Sequence, residues 1–253
     1  TSVGGLVAAL LCTKININLL VKYLIRTPWN KIVKFNPENF YTLYNENGLY
    51  GEELFHAAMD KVLAAKDLSK NITLKDFYEY SKIELILYST NLNNLTLTEF
   101  SYRTHPDLEL IKALYFSCAY PFIFKPGKFK GITYIDGAVI NNYPLKECLK
   151  YHEDNEILGI HLITQKTQKK KGQHTNIIYY SMYVFSKIIN KLKQNDYPII
   201  KNELIIPKDE INLENTISFI KSKSVRKSFI AEGNKYAKIF LAYKTNKNLK
   251  ELL

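Results

Sequence analysis

The apolar positions change their rhythm several times along the chain. Val3 to Cys12 carries no charged or strongly polar residue, which predicts a helix buried on all sides in the middle of a domain, with further elements before it. Between Gly51 and Lys66, Leu54, Phe55, Ala58, Met59, Val62 and Leu63 recur at helical spacing, within a stretch, 28–80, that reads as helices and loops. Thr73 and Asp76 have the spacing of a capping box, so a short helix should follow through Tyr80. Ile83–Tyr88 and Thr96–Tyr102 read as strands on either side of the Asn-rich turn Asn91–Asn94. Pro106, with Asp107 and Glu109, predicts the first turn of a helix that ends near Tyr120, ahead of Pro121.

Gly131–Ile135 should be a strand that runs into Asp136-Gly137, and Pro144 should open a helix through about Tyr151. Glu156–Thr164 is nearly continuous in Ile and Leu, as in a strand buried on both faces of a parallel sheet. A polar loop, Gln165–Thr175, precedes a predicted helix Asn176–Lys193, a strand Asn202–Ile206 and helical sequence over Glu214–Tyr243. Strands alternating with helices predict an α/β sandwich. At 253 residues, a single domain is expected, 1–164 holding the recognisable part and 165–253 forming a largely helical extension.

Composition narrows the class of protein. An apolar share of 46% is that of a globular chain. No apolar run is long enough to predict a transmembrane helix, and no basic segment precedes the apolar start as it would in a secretory signal. Cys12, Cys118 and Cys148 are odd in number and widely spaced. They predict buried thiols in a reducing compartment, and no metal site built from them is expected, since no His sits at ligand spacing beside a Cys pair. The net charge of +11 fits two readings, a surface drawn to anionic lipid and the Lys-Asn-Ile mixture of AT-rich codons.

Two short segments carry chemistry. Thr1-Ser2-Val3-Gly4 matches three-quarters of a G-x-S-x-G nucleophile elbow, in which a serine sits on a tight strand-to-helix turn and the flanking small residues permit that turn. The first Gly of the pattern would precede Thr1. The apolar helix after Ser2 would aim its positive end at the serine oxygen. Asp136-Gly137 closes a predicted strand, where side chains of α/β sheets face the ligand crevice; the plainer reading is a simple turn.

Three stretches occur in order: Thr-Ser-Val-Gly-Gly at 1–5, Phe-Ser-Cys-Ala-Tyr-Pro-Phe-Ile-Phe-Lys-Pro at 116–126, and Tyr-Ile-Asp-Gly-Ala-Val-Ile-Asn-Asn-Tyr-Pro at 134–144. With them, residues 1–164 resemble the patatin-like phospholipase family. The resemblance implies a three-layer α/β/α sandwich with a mostly parallel central sheet, its N-terminal strand or strands lying ahead of Thr1 together with the glycine-rich oxyanion loop. It implies a Ser2–Asp136 dyad, with Val3, Gly4 and Gly137 supporting the turn and the oxyanion, and no metal or cofactor. The implied reaction is hydrolysis of phospholipid or other lipid esters through an acyl-Ser2 intermediate. A cytoplasmic or peripheral-membrane location and no nucleic-acid partner go with that reading.

Alternatives stay open at this level. A histidine triad could draw on His56, His105, His152, His161 or His174, each more often structural. Thr1 could be an N-terminal nucleophile of an amidase, or the chain could bind membranes without catalysis. Ser117 lies in the second motif, where its neighbourhood suggests a pocket wall. Tyr179, Tyr180, Tyr183 and Phe185 crowd one predicted helix, and Lys169–Lys171 with Lys221, Lys223, Arg226 and Lys227 form basic clusters. Core packing and a solvated face account for these; interfacial anchoring on anionic lipid is the functional alternative.

Overall fold

A computed structural model describes residues 1–34, 38–164, 177–192, 197–208 and 218–245. These form two compact units: Thr1–Leu20, Ile32–Pro144 and His174–Asn195 in one, Val21–Lys31, Leu145–Gln173 and Asp196–Leu253 in the other.

The first unit opens with helix α1 (Ser2–Cys12), followed by α2 (Ile17–Arg26), which runs on into the second unit. After α3 (Trp29–Ile32) and α4 (Glu38–Glu46) come strand β1 (Gly48–Tyr50), α5 (Glu53–Ala64) and α6 (Leu74–Ser81). The expected cap on α6 forms by half. The Asp76 amide donates to Thr73 Oγ1 at 3.1 Å. The shorter Asp side chain accepts from the Thr73 hydroxyl at 2.8 Å, where the longer acid of a full capping box would reach back to the Thr backbone.

Strands β2 (Leu87–Asn91) and β3 (Thr96–Phe100) are a hairpin, helix α7 (Leu110–Cys118) follows, and β4 (Phe122–Phe124), β5 (Gly127–Phe129) and β6 (Ile132–Asp136) complete the strands of this unit. The strand order β3-β2-β6-β5 makes a four-stranded sheet whose three pairings are all antiparallel. This sheet is therefore antiparallel, not the mostly parallel central sheet expected from sequence. Short turns join β2 to β3 and β5 to β6, and strands joined so closely can only run antiparallel. Parallel pairing occurs in two smaller sheets, β1 with β4 and, in the second unit, β7 (Leu158–Thr164) with β8 (Asn202–Lys208). The fold is mixed α/β.

Two further expectations shift. β2 begins later than the apolar run predicts, because Leu87, Ser89 and Asn91 take the ladder positions beside Phe100, Thr98 and Thr96. α7 starts at Leu110, not at Pro106, because the intervening backbone bonds elsewhere. Leu74 N donates to Leu108 O, Lys75 N to Pro106 O, and Leu110 N to Ile72 O.

α7 is buried at every position but Lys112, packing against α1, β2 and β6. The fully buried Leu87, Phe100, Leu110, Ile111 and Leu114 centre the core, and Phe116 stacks on Tyr134 with Phe100 edge-on to it. α1 is not buried all round: Ala9, Leu10 and Cys12 face inward while Val3, Val7 and Leu11 are exposed. One side of a helix suffices to pack on α7 and β2, and the i, i+4, i+8 stripe opposite is left at the surface.

The remaining helices are a short α8 (Leu145–Cys148), α9 (Ile177–Leu192) and α10 (Lys223–Lys244). β7 was expected to be covered on both faces, yet Leu158, Ile160 and Leu162 are exposed. Among the described residues its one pairing is with β8. An apolar groove of about 240 Å³ lies between β8 and α10, lined by Leu204, Ile205, Tyr236, Ile239, Phe240 and Tyr243. Arg226, expected among surface cations, is buried in this unit. Its guanidinium donates to the carbonyls of Ile25, Thr27, Phe219 and Ile220, tying two segments of the unit together through its several donors. Lys169–Lys171 lie outside the described residues. None of the described helices is long and apolar enough to cross a membrane.

Candidate active site

Ser2 opens α1 with a φ of 53°. A non-glycine residue in this left-handed region costs about 1–3 kcal/mol and persists only where its surroundings hold it. Three contacts provide that hold. The Ser2 amide donates to Ser117 Oγ at 3.2 Å, and Ser117 in turn donates to the Tyr88 carbonyl of β2 at 2.8 Å. Thr1 Oγ1 donates to the Asn142 carbonyl at 2.9 Å. The last of the three is the bond of chemical interest: Ser2 Oγ donates to Asp136 Oδ2 at 2.6 Å.

Asp136 ends β6 and is 1% exposed. Its polar atoms are bonded in detail: the amide donates to Ala119 O at 3.0 Å, the carbonyl accepts from Thr90 Oγ1 at 3.0 Å, and Oδ1 accepts from the Ala138 amide at 2.8 Å. A buried carboxylate with both oxygens engaged is held in one orientation, one oxygen toward the 3-10 turn Gly137–Val139 and the other toward the serine. Its charge is felt nearby. Burial, then the Asp136 carboxylate, pushes the Cys118 thiol well above its ordinary value, and the same two causes raise the Tyr120 phenol.

The glycines divide unevenly. A Cβ on Gly137 would lie 2.4 Å from the Tyr88 carbonyl oxygen and 2.8 Å from Thr1 Cγ2, so only glycine lets the loop pass between β2 and the elbow. Beside Gly4, by contrast, the space is open. The tightly packed glycine of α1 is Gly5, whose Cβ would meet Leu87 Cδ2 at 2.7 Å. Val3 is exposed at the mouth of the helix, and its amide belongs to the first turn, where no carbonyl four residues earlier can accept. Asn141 closes the Asp136 loop by accepting from the Tyr143 amide at 3.1 Å.

The structure thus brings together Ser2, Asp136, Gly137 and the start of α1 from positions far apart in sequence. It also gives Ser117 a place that its sequence context did not indicate. It is fully buried and its Oγ accepts from the Ser2 amide at the head of α1. The histidines have other neighbours. His56 stands between Glu52 and Asp60, His105 lies edge-on to Phe100 with burial lowering its pKa, His152 is 3.9 Å from Glu156, and His161 is 3.4 Å from Glu203. His174 lies outside the described residues. None of the three cysteines is in a disulfide.

A strained serine at the head of a helix, bonded directly to a buried aspartate at the end of a strand, sets a hydroxyl beside a carboxylate able to accept its proton. The sequence profile of the patatin-like phospholipase family matches residues 1–149, more than half of the chain, and the chain belongs to that family. It is 29% identical over 210 residues to a probable lipid hydrolase, 463L, of Invertebrate iridescent virus 6, covering 80% of this chain and 71% of that protein. It is 31% identical over 146 residues to an uncharacterized protein, R571, of Acanthamoeba polyphaga mimivirus, covering 57% of this chain and 47% of the relative. A structural likeness to VipD from Legionella pneumophila has a TM-score of 0.39 at 16% identity, over 86% of this chain and 46% of VipD. The chain spans about half the length of these last two proteins.

Proposed function

We propose that this chain carries the catalytic dyad of a lipid acyl hydrolase that cleaves carboxylic esters of phospholipids or related lipids. The observation that carries the reading is the 2.6 Å bond from Ser2 Oγ to the buried Asp136 carboxylate. Membership of the patatin-like phospholipase family and the name of the iridescent-virus relative support lipid hydrolysis as the general activity.

In the proposed reaction Ser2 Oγ attacks the ester carbonyl carbon while Asp136 Oδ2 takes its proton. The tetrahedral intermediate collapses with loss of the alcohol, which recovers that proton, leaving acyl-Ser2. Water, deprotonated by the same carboxylate, then attacks the acyl carbon, and the fatty acid leaves as Ser2 regains its hydrogen. The amides at the start of α1, Val3 first, are suited to stabilise the developing oxyanion, aided by the positive end of the helix. Asp136 works here without an imidazole relay, its Oδ2 accepting directly from the Ser2 hydroxyl. The alternative in which Thr1 is the nucleophile has less support, because the Thr1 hydroxyl is committed to the Asn142 carbonyl.

The test uses protein expressed from the complete reading frame. Ser2→Ala and Asp136→Asn should each lower fatty-acid release from phospholipid by at least about a thousandfold, with melting behaviour retained. Release that survives either change in folded protein would overturn the dyad.

A further inference from the structure

We infer that α9 is the surface on which the protein sits on a lipid bilayer, placing the Ser2–Asp136 site beside its substrate. The inference rests on the lipid-hydrolase reading above, whose site it supplies with a partner.

α9 belongs to the same compact unit as the dyad and lies beyond the segment matched by the family profile. Its inward side is short and aromatic. Phe185 meets Tyr120 edge-on at 6.1 Å and Phe122 at 5.7 Å, and Ile189 is buried. Those two partners follow Ala119, whose carbonyl accepts from the Asp136 amide, and the Tyr120 phenol senses the Asp136 charge. The helix is therefore seated within a few residues of the aspartate. Phe122 has a φ of 69°, a backbone form that a bulky residue adopts only under constraint.

The outward side has a different character. Ile177, Tyr180, Tyr183 and Ile188 are 74%, 52%, 43% and 51% exposed. At about 100° per residue they share one arc of roughly 140° with the exposed Lys187 and Lys191. Lys187 Nζ lies 5.3 Å from the centre of the Tyr183 ring. Side chains that are apolar in the body and polar at the tip, interleaved with long cations, suit the boundary between headgroups and acyl chains. Two lysines on this arc favour an anionic surface, in keeping with the net charge of +11.

The experiment compares three forms of the protein from the complete reading frame: parent, Tyr180→Ser/Tyr183→Ser/Ile188→Ser, and Lys187→Gln/Lys191→Gln. Binding is measured by co-sedimentation with vesicles of phosphatidylcholine alone and with one-third phosphatidylserine. Turnover is measured on the same vesicles and on a water-soluble short-chain ester. The triple variant should lose about thirtyfold or more in vesicle binding and vesicle hydrolysis, while soluble-ester turnover stays within about twofold. The lysine pair should lose most of the preference for anionic vesicles, about thirtyfold, with a smaller effect on neutral ones. Unchanged vesicle binding by the triple variant would overturn the inference. So would a parent that is a dimer in sedimentation equilibrium and a variant that is a monomer, since the arc would then be a contact between copies. If the parent binds vesicles through this arc yet hydrolyses neither substrate, the surface assignment stands and the hydrolase reading fails.

Discussion

At the scale of single residues the site depends on groups that hold Ser2 in a conformation it would not choose. Ser117 is the chief of these, linking the Ser2 amide to the Tyr88 carbonyl. Ser117→Ala should leave that amide without its acceptor, at about 1–3 kcal/mol, and should lower turnover more than it raises KM, because the ester still binds while the nucleophile is misplaced. Steady-state kinetics beside a denaturation curve will separate the two effects; a change confined to KM would contradict this role. Gly137→Ala forces a methyl group against the Tyr88 carbonyl oxygen and should cost about 1–3 kcal/mol in urea denaturation. Ser2, Asp136 and Gly137 were legible in the sequence because ordered motifs flag them. Ser117 was named there, but its work was not legible. A bond between residues 115 positions apart leaves no local spacing to read. Nor does an open space beside Gly4 and a crowded one beside Gly5 differ in sequence, where both are simply glycine.

At the scale of elements, sequence rhythm located most helices and misjudged what covers them. α6 and its cap, α9 and the strand β6 follow from local pattern, and the structure has them close to the expected bounds. The start of α7 was displaced by backbone pairing with residues 72–75, a tertiary contact that proline and acidic signals cannot report. Arg226 is the sharper lesson. In sequence it is one of several basic residues near Lys223 and Lys227; in the structure it caps carbonyls of two separate segments. Arg226→Ala should destabilise the protein by about 3 kcal/mol, and Arg226→Lys should recover little, because an ammonium cannot present the planar fork that reaches several carbonyls at once. Thermal melts of the two variants check this; a fully stable Lys variant would contradict it. Lys223→Gln/Lys227→Gln, on exposed positions of α10, should leave the melt unchanged within error.

For the whole molecule, the α/β class was readable from alternating elements, and sheet direction was not. A strand's apolar pattern records which faces are covered, while its direction depends on the length of the connection to its neighbour, and the turns at 92–95 and 130–131 decide for antiparallel pairing. Burial also has a consequence for pH. It raises the Cys118 thiol, the Tyr115 phenol and the Tyr120 phenol above ordinary values of 9.0, 10.0 and 10.0. The folded state keeps these protons where the unfolded chain releases them. The stabilisation is thus complete below about pH 9 and is lost as pH rises through the unfolded-state values and beyond. Melting temperature measured from pH 7 to pH 11 should hold steady and then fall from about pH 9; a rise over that span would contradict the assignment. Cys118 should resist iodoacetamide at pH 8 in the folded protein and react on unfolding.

The central claim is that Ser2, activated by Asp136, forms a covalent acyl intermediate. The most direct measurement is peptide mass spectrometry after exposure of the protein, from its complete reading frame, to a fluorophosphonate that traps activated serines. The account predicts one phosphonyl group on Ser2, labelling that is lost in Ser2→Ala and slowed by at least about a hundredfold in Asp136→Asn, and no adduct on Thr1 or Ser117. An adduct on another residue, or labelling of Ser2 at an undiminished rate in Asp136→Asn, would contradict it.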